Sequence, residues 1–425
     1  MSEVVFSAFA PSVFSLLTLR LSRWVFIIHL PASCKEREKN CDIVTGFLLC
    51  MRWGIPLALL ALLVVVTIFI NQVERVPLVV REGQTFEKGI VTEILQDNLQ
   101  PDGSRTGEQV VMVHMTTGVR AGQEMRTTSS SGYLFGAGCT VGMKVVVLQS
   151  VAGESIITTV YAQDRGGVIY LFAALYLLVL CLVGGKQGIK GALGLVFTFL
   201  CILFVYLPLV YRGFSPFWVA VLVCVVTTVV TLYLIGGPTK KTLVAAGGTI
   251  AGVIIAGVAA TLFSMASGIS GWNVSDIESL LTLWNVADIQ VGGLLFSGLL
   301  ISSLGAVMDV AMSIGSAIGE IHAQNPAISS RDLFRAGIHV GRDMMGTDSN
   351  TLILAFAGGS VSMLLLDYAY DLPYLQIINS NNIGIAIMQG LSGSFGIVLA
   401  VPITVLLAVA AYTGGGARAE GKHEE

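Results

Sequence analysis

GGLLFSGLLISSLGAVMDVAMSIGSAI, residues 292–318, carries a single ionisable group, Asp309. As a helix rising 1.5 Å per residue it is about 40 Å long, more than the hydrocarbon thickness of about 30 Å that a bilayer presents. It is therefore a predicted membrane span. Seven more apolar runs lie near residues 53–70, 168–183, 192–210, 216–235, 243–265, 351–366 and 383–412. The whole chain agrees with that reading, with 425 residues, 54% hydrophobic and 12% charged, and a mean hydropathy of +0.80. A soluble domain spends about a quarter of its residues on charge, so an ordinary soluble enzyme is excluded. The formal net charge is -3 and the 24 Lys and Arg are scattered, so no basic field draws in nucleic acid.

Lys and Arg gather in short cytoplasmic loops, which tests the span count independently of hydropathy. With eight spans, Arg52, Lys186, Lys190, Lys240, Lys241, Arg331, Arg335, Arg342, Arg418 and Lys422 all fall on one side. The opposite short loops hold Arg212 alone. An odd number of spans breaks this alternation, so eight spans with both termini cytoplasmic are expected. The predicted organisation is a first helix over 51–70, an extracytoplasmic β domain over 71–166, a seven-helix membrane domain over 167–412 and a cytoplasmic tail over 413–425. Residues 1–50 stand apart from it. Met51-Arg52 ahead of a long apolar run has the form of a signal-anchor start, so residues 1–50 are expected to be an untranslated or targeting extension.

Within 71–166 the apolar runs are short, partly alternating and rich in β-branched residues: 85–95, 109–117, 143–150 and 155–161, with a weaker strand at 124–128. Asp102-Gly103, Gly118 and Gly142 punctuate them. About five strands predict a small barrel of the OB type. Barrels of that type bind oligonucleotides or sugars through aromatic platforms, and here little is available beyond Tyr133, Phe135 and Tyr161, which favours an outer cap or assembly surface. Cys139 is the domain's only cysteine, so it has no internal disulfide; Cys181, Cys201 and Cys224 fall in spans, where a thiol is ordinary packing.

Ionisable groups at membrane depth are costly and mark the default candidate sites. In the sixth span Ser302, Gly305, Asp309, Ser313, Ser316 and Glu320 are spaced 3, 4, 4, 3 and 4, which places them within an arc of about 80°. Two readings fit this polar stripe: it lines a path for a proton, ion or solute, or its small residues let helices approach while Asp309 accepts hydrogen bonds from a neighbour. A second cluster follows. Asn325-Pro326 is expected to start a helix that Arg331 to His339 continue. Then Gly341-Arg342-Asp343-Met344-Met345-Gly346-Thr347-Asp348-Ser349-Asn350-Thr351 runs directly into apolar Leu352. This segment is either an unwound or re-entrant element exposing backbone groups to solute, or a solvated loop with Asp348 or Ser349 as N-cap. The candidate path residues are Ser302, Asp309, Ser313, Ser316, Glu320, Asp343, Asn350 and Thr351.

Enzyme chemistry finds little support. Glu320 and His322 are two apart and point to different helix faces, so a metal site with His339 and Asp343 is not expected. The chain has no His-Glu-x-x-His and no Gly-x-Gly-Asp, and Gly184-Gly185-Lys186 and Gly236-Gly237-Pro238-Thr239-Lys240-Lys241 lack phosphate-loop spacing. Neither catalytic residues nor a cofactor are expected. Gly248-x-x-x-Gly252 and the Gly390, Gly393, Ser394, Gly396 row read as helix contacts, and Pro402 as a kink.

Three strings carry a resemblance: Gly184-Gly185-Lys186-Gln187-Gly188-Ile189-Lys190, the stretch from Gly305-Ala306-Val307-Met308-Asp309 to Gly319-Glu320, and Gly341-Arg342-Asp343-Met344-Met345-Gly346 leading to Asn350-Thr351-Leu352-Ile353-Leu354-Ala355. Together they resemble the YibE/F-like family of bacterial multi-pass membrane proteins, over about residues 53–412. Asp348-Ser349 departs from the more apolar pair that the resemblance leads one to expect. The resemblance implies a bacterial cytoplasmic membrane protein and assigns no biochemistry. Two functions remain in view: a permease-like transporter of an ion or small solute along the sixth helix, and a scaffold that docks envelope proteins through its outer β domain. The partners expected are the lipid bilayer, an ion or small solute, and envelope proteins or further copies of the chain.

Overall fold

Alternation of β-branched residues between 84 and 163 closes into a barrel. The computed structural model describes residues 67–72, 83–101, 105–130, 136–152, 155–274, 277–287 and 289–413. Five strands, β1 (Gln84–Gln96), β2 (Glu108–Met115), β3 (Glu124–Ser130), β4 (Lys144–Ala152) and β5 (Ser155–Gln163), follow the order β1-β2-β3-β5-β4 around the barrel. All neighbours are antiparallel except β3 and β5, which meet at Thr128 and Thr159. β1 pairs with β4 through its first half and with β2 through its second, and register shifts after Val91 and Ile94 bend it between the two. Gly118 and Gly142 hold positive φ of 87° and 84° at turns, as their place in the sequence predicts. Inward positions carry Val91, Val111, Val113, Met115, Cys139, Val145, Val147 and Val160. Buried Gln109 binds both backbone groups of Cys139, accepting from its N–H at 2.8 Å and donating to its carbonyl at 3.0 Å. That bond pair anchors the loop before β4 to β2.

Only 67–71 of the expected first span is described, and it is helical; the rest of that span, residues 1–50 and the tail after 413 lie outside the described residues. Contacts divide the chain into Met1–Phe69 and Ile70–Glu425. Among the described residues of the second unit ten α-helices follow the barrel. They are α1 (Gly166–Cys201), α2 (Leu207–Tyr211) after a π turn, α3 (Pro216–Gly236), α4 (Lys240–Ser267), α5 (Ile277–Ala287), α6 (Leu294–Gln324), α7 (Ser330–Gly359), α8 (Val361–Ala369), α9 (Tyr374–Ile378) and α10 (Asn381–Thr413). Among the described residues five helical runs are long and apolar enough to cross a membrane, or six if the bent pair of α7 and α8 is one span.

The longest run, Gly166–Tyr211, breaks at Gly185, whose φ of 53° and ψ of -130° leave the helical region. A side chain built at Gly188 would meet the Leu180 carbonyl, eight residues back. In a straight helix those residues stand about 12 Å apart along the axis, so the chain doubles back at Gly185. The loops then sort into two ends. At one end Lys190 Nζ donates to the Ile235 carbonyl at 3.4 Å and Lys240 Nζ to the Ala411 carbonyl at 3.1 Å, each ammonium sitting on a helix C-terminus. At the other end Arg212 donates to the Gln72 carbonyl and Gln290 to the Gly213 carbonyl, and Gly384 packs on Ile269.

Two expectations for the chain after α6 are corrected. Asn325 closes α6 instead of opening the next helix. Ser329 caps α7, its hydroxyl accepting from the Asp332 N–H at 3.1 Å and donating to Asp332 Oδ2 at 2.7 Å, so Pro326 lies in the turn. Residues 341–351 are neither unwound nor a capped loop but continue α7 without interruption. Packing decides this: Gly341 lies against Val401 and Ile314, and a longer side chain there has no room. The hydroxyls of Thr347 and Thr351 bond back to the carbonyls of Asp343 and Thr347, adding nothing that competes with the helix. The break comes later, at Ser360, where α7 and α8 meet with a bend of 57°.

Candidate functional site

Helix α6 packs on four neighbours, α3, α4, α7 and α10, through a buried row that includes Leu300, Ser303, Leu304, Val307, Val310, Ala311, Ile314 and Ile318. Val307 and Asp309 differ by two residues, about 200° around a helix, so the polar stripe lies opposite this row. Ser302, Gly305, Asp309 and Glu320 are exposed and Ser313 and Ser316 half-buried. The stripe therefore runs down the outer flank of α6. Nothing approaches a side chain built at Gly298 or Gly305 within 4 Å, whereas the same test at Gly252 meets Val307 of α6.

Depth follows from the helix ends. Asp309 stands midway along α6, and Gly315 and Gly319 one to three turns later touch Lys241 and Tyr412 at the basic end. This places its carboxylate about 9–15 Å inside that end, within the apolar part of the bundle.

Of the hydroxyls in the stripe, Ser302 donates to the Leu299 carbonyl at 3.0 Å and Ser316 to the Met312 carbonyl at 2.7 Å. Those donors are satisfied within the helix. Among the described residues ion pairs form only in the barrel, so Asp309 has no counter-ion within reach. The group that acts on it electrostatically is another carboxylate, Asp348 of α7. The sequence reading left Asp348 out of the site. The signal was present, since Asp348 lies seven residues after Gly341 and four before Leu352, both buried, which puts it on the inward row of α7. Beside it Ser349 Oγ is buried without a hydrogen-bond partner, and the Ser394 hydroxyl of α10 reaches the Ser349 carbonyl at 3.4 Å.

The other candidates on α7 do not join this group. Asp343 and Asn350 are seven residues apart on one outer row, both exposed, and Thr351 is exposed on the flank between. The structure therefore joins Asp309 to Asp348 and leaves Asp343, Asn350 and Glu320 as separate points on the surface. In the barrel, Tyr161 packs edge-to-face on Phe86 at 5.2 Å, while Tyr133 and Phe135 lie outside the described residues.

No curated protein and no solved structure matches this chain. Residues 172–414, from within α1 to the end of α10, match the YibE/F-like protein family. This stretch holds Asp309, Asp348 and the whole of the helical core, covers more than half of the sequence, and makes the chain a member of the YibE/F-like family of membrane proteins.

Proposed function

We propose that this protein crosses a bacterial cytoplasmic membrane eight times, with both termini cytoplasmic, and moves an ion or small solute along the α6–α7 flank. The fold-back at Gly185 supports two passes within Gly166–Tyr211, and the lysine-rich end supports the orientation. The observation that carries the transport reading is the pair Asp309 and Asp348: two carboxylates on different helices, acting on each other at membrane depth with no cation of the chain between them. Such a pair favours binding a proton or cation, because a bound positive charge removes the repulsion between them. A bend of 57° at Ser360 breaks the helical run near one end of α6, as broken helices do in transporters.

The test is flux. In liposomes holding the full chain and a pH-sensitive dye, an imposed membrane potential drives proton flux through the wild type. Asp309→Asn and Asp348→Asn abolish it while the protein stays folded and abundant. Wild-type flux in both variants sinks the path.

The scaffold reading has one observation in its favour: Phe86, Ile157 and Tyr161 are exposed at outward positions of β1 and β5. An apolar patch on a soluble domain marks a docking surface. Deleting residues 71–166 then removes a co-purifying envelope protein and leaves flux intact.

A further inference from the structure

The α6 stripe is an open polar face at membrane depth, and lipid is a poor cover for it. The cover is legible on α7. Contacts between the two helices fix their relative depth: Gly337 packs on Ile318, Gly341 on Ile314, and Leu352 and Ser303 both border Gly393. Four residues forward on α7 match four back on α6, and eleven forward match eleven back, so this antiparallel register is constant. It places Arg335 at the depth of Glu320, His339 at Ser316, Arg342 at Ser313 and Gly346 at Asp309. The four α7 residues are spaced 4, 3 and 4, forming one row, and all four are exposed. The α6 row Glu320, Ser316, Ser313, Asp309 has the same spacing.

The rows thus match in depth and spacing, acids lie on one and bases on the other, and Glu320 is level with Arg335, yet within one chain they do not meet. No ion pair joins α6 to α7 among the described residues, and a side chain built at Gly346 finds nothing within 4 Å. We infer that a second copy of this chain covers the stripe, with α6 of each copy lying against α7 of the other about a two-fold axis along the membrane normal. Such an axis preserves depth, so residues level in one chain are level across the pair. Glu320 then meets Arg335 at the cytoplasmic boundary. Ser316 and Ser313 offer hydroxyl acceptors to His339 and Arg342. Asp309 faces Gly346, whose missing side chain leaves room beside the carboxylate and keeps the Asp309–Asp348 region open within the interface.

This inference stands on packing and charge and does not depend on transport; it extends that reading by enclosing the flank. The test measures mass and proximity, not flux. Full-length protein in nanodiscs or dilute vesicles is counted by single-molecule photobleaching, with two bleaching steps expected. Glu320→Arg places like charges at two symmetric contacts and weakens association about a hundredfold. Arg335→Glu does the same. The double variant E320R/R335E restores the pair. As a second readout, Glu320→Cys combined with Arg335→Cys, with the seven native cysteines replaced, gives a disulfide-linked dimer in intact membranes, whereas either cysteine alone gives less than a tenth as much. One bleaching step for the wild type overturns the proposal. So does a dimer indifferent to both charge reversals and without the cross-link, or capture of a different membrane protein at the cysteine positions.

Discussion

The barrel and the helical domain differ in what they leave outside. In the barrel the large apolar groups point inward: Met115, Val91, Val111, Val113, Val145 and Val147 are all almost wholly buried. In the helices many large groups point outward as well as inward. Leu171, Phe172, Leu182, Trp218, Leu243 and Leu262 are each more than 60% exposed, while the interior combines Leu299, Leu300, Ile314, Ile318 and Ile397 with Ala220, Ala245, Ala256, Ala260, Ala311 and Ala400 and with Thr227, Thr249, Ser303 and Thr404. Water drives the first arrangement. Where the surroundings are hydrocarbon, burying a leucine gains little, so close approach of small residues and satisfied hydroxyls holds the helices together. Thr227, Thr249 and Thr404 each bond a carbonyl one turn earlier, which makes them small surfaces inside the bundle. One chain therefore obeys two rules for what it leaves outside.

The largest test of this contrast is Gly252. A side chain there meets Ala400 at 2.9 Å and the Gly396 carbonyl at 3.0 Å as well as Val307, so α4, α6 and α10 share one tight crossing. Gly252→Val costs about 3 kcal/mol or more, and its loss of folded, monodisperse protein in detergent is expected without change in the barrel. A variant as abundant and as heat-stable as wild type shows that small residues do not set the helix spacing.

The barrel counterpart is opposite in sign of volume and overlaps it in size. Met115→Ala empties an interior position and destabilises the barrel by about 2–5 kcal/mol. Hydrogen exchange on β2 and its neighbours rises, while the helical amides keep their protection. Equal loosening of both parts breaks the comparison.

The smallest effect concerns charge at the join between them. Lys88 of β1 pairs with Asp164, two residues before α1, at 2.9 Å. The Lys88 hydrogen bond holds the Asp164 carboxyl below the usual carboxylate range. A lowered folded pKa stabilises the folded state above the unfolded value of about 3.9, and that contribution disappears as pH falls through the folded value. Lys88 is 55% exposed, so screening limits the pair to about 0–1 kcal/mol. Lys88→Ala therefore slightly raises exchange in β1 at pH 7, and the effect fades as pH falls through the folded value of Asp164. An effect independent of pH assigns the difference to the lysine stem and not to the ion pair.

Much of this was legible in the residues. Alternation located five strands, each within a few positions, because the inward face of a small barrel requires period two. Long charge-free runs located α3, α4, α6 and α10, because hydrocarbon tolerates no other composition over that length. The 341–351 segment misled because its local chemistry is that of a loop: two glycines, three charges and several hydroxyls. The helix there rests on the contacts of Gly341 with Val401 and Ile314, residues far away in sequence.

The candidate site divides in the same manner. Spacing alone grouped Ser302, Asp309, Ser313, Ser316 and Glu320 into one row, since residues three and four apart share a helix face whatever surrounds them. It supplied no direction for that row, and it separated Asp309 from Asp348. Composition and periodicity, which depend on neighbours along the chain, determined the membrane class, the barrel strands and the stripe. Only tertiary structure decided that α7 is continuous, that the stripe faces outward and that two carboxylates from different helices act on each other electrostatically, because each of these depends on which surfaces pack.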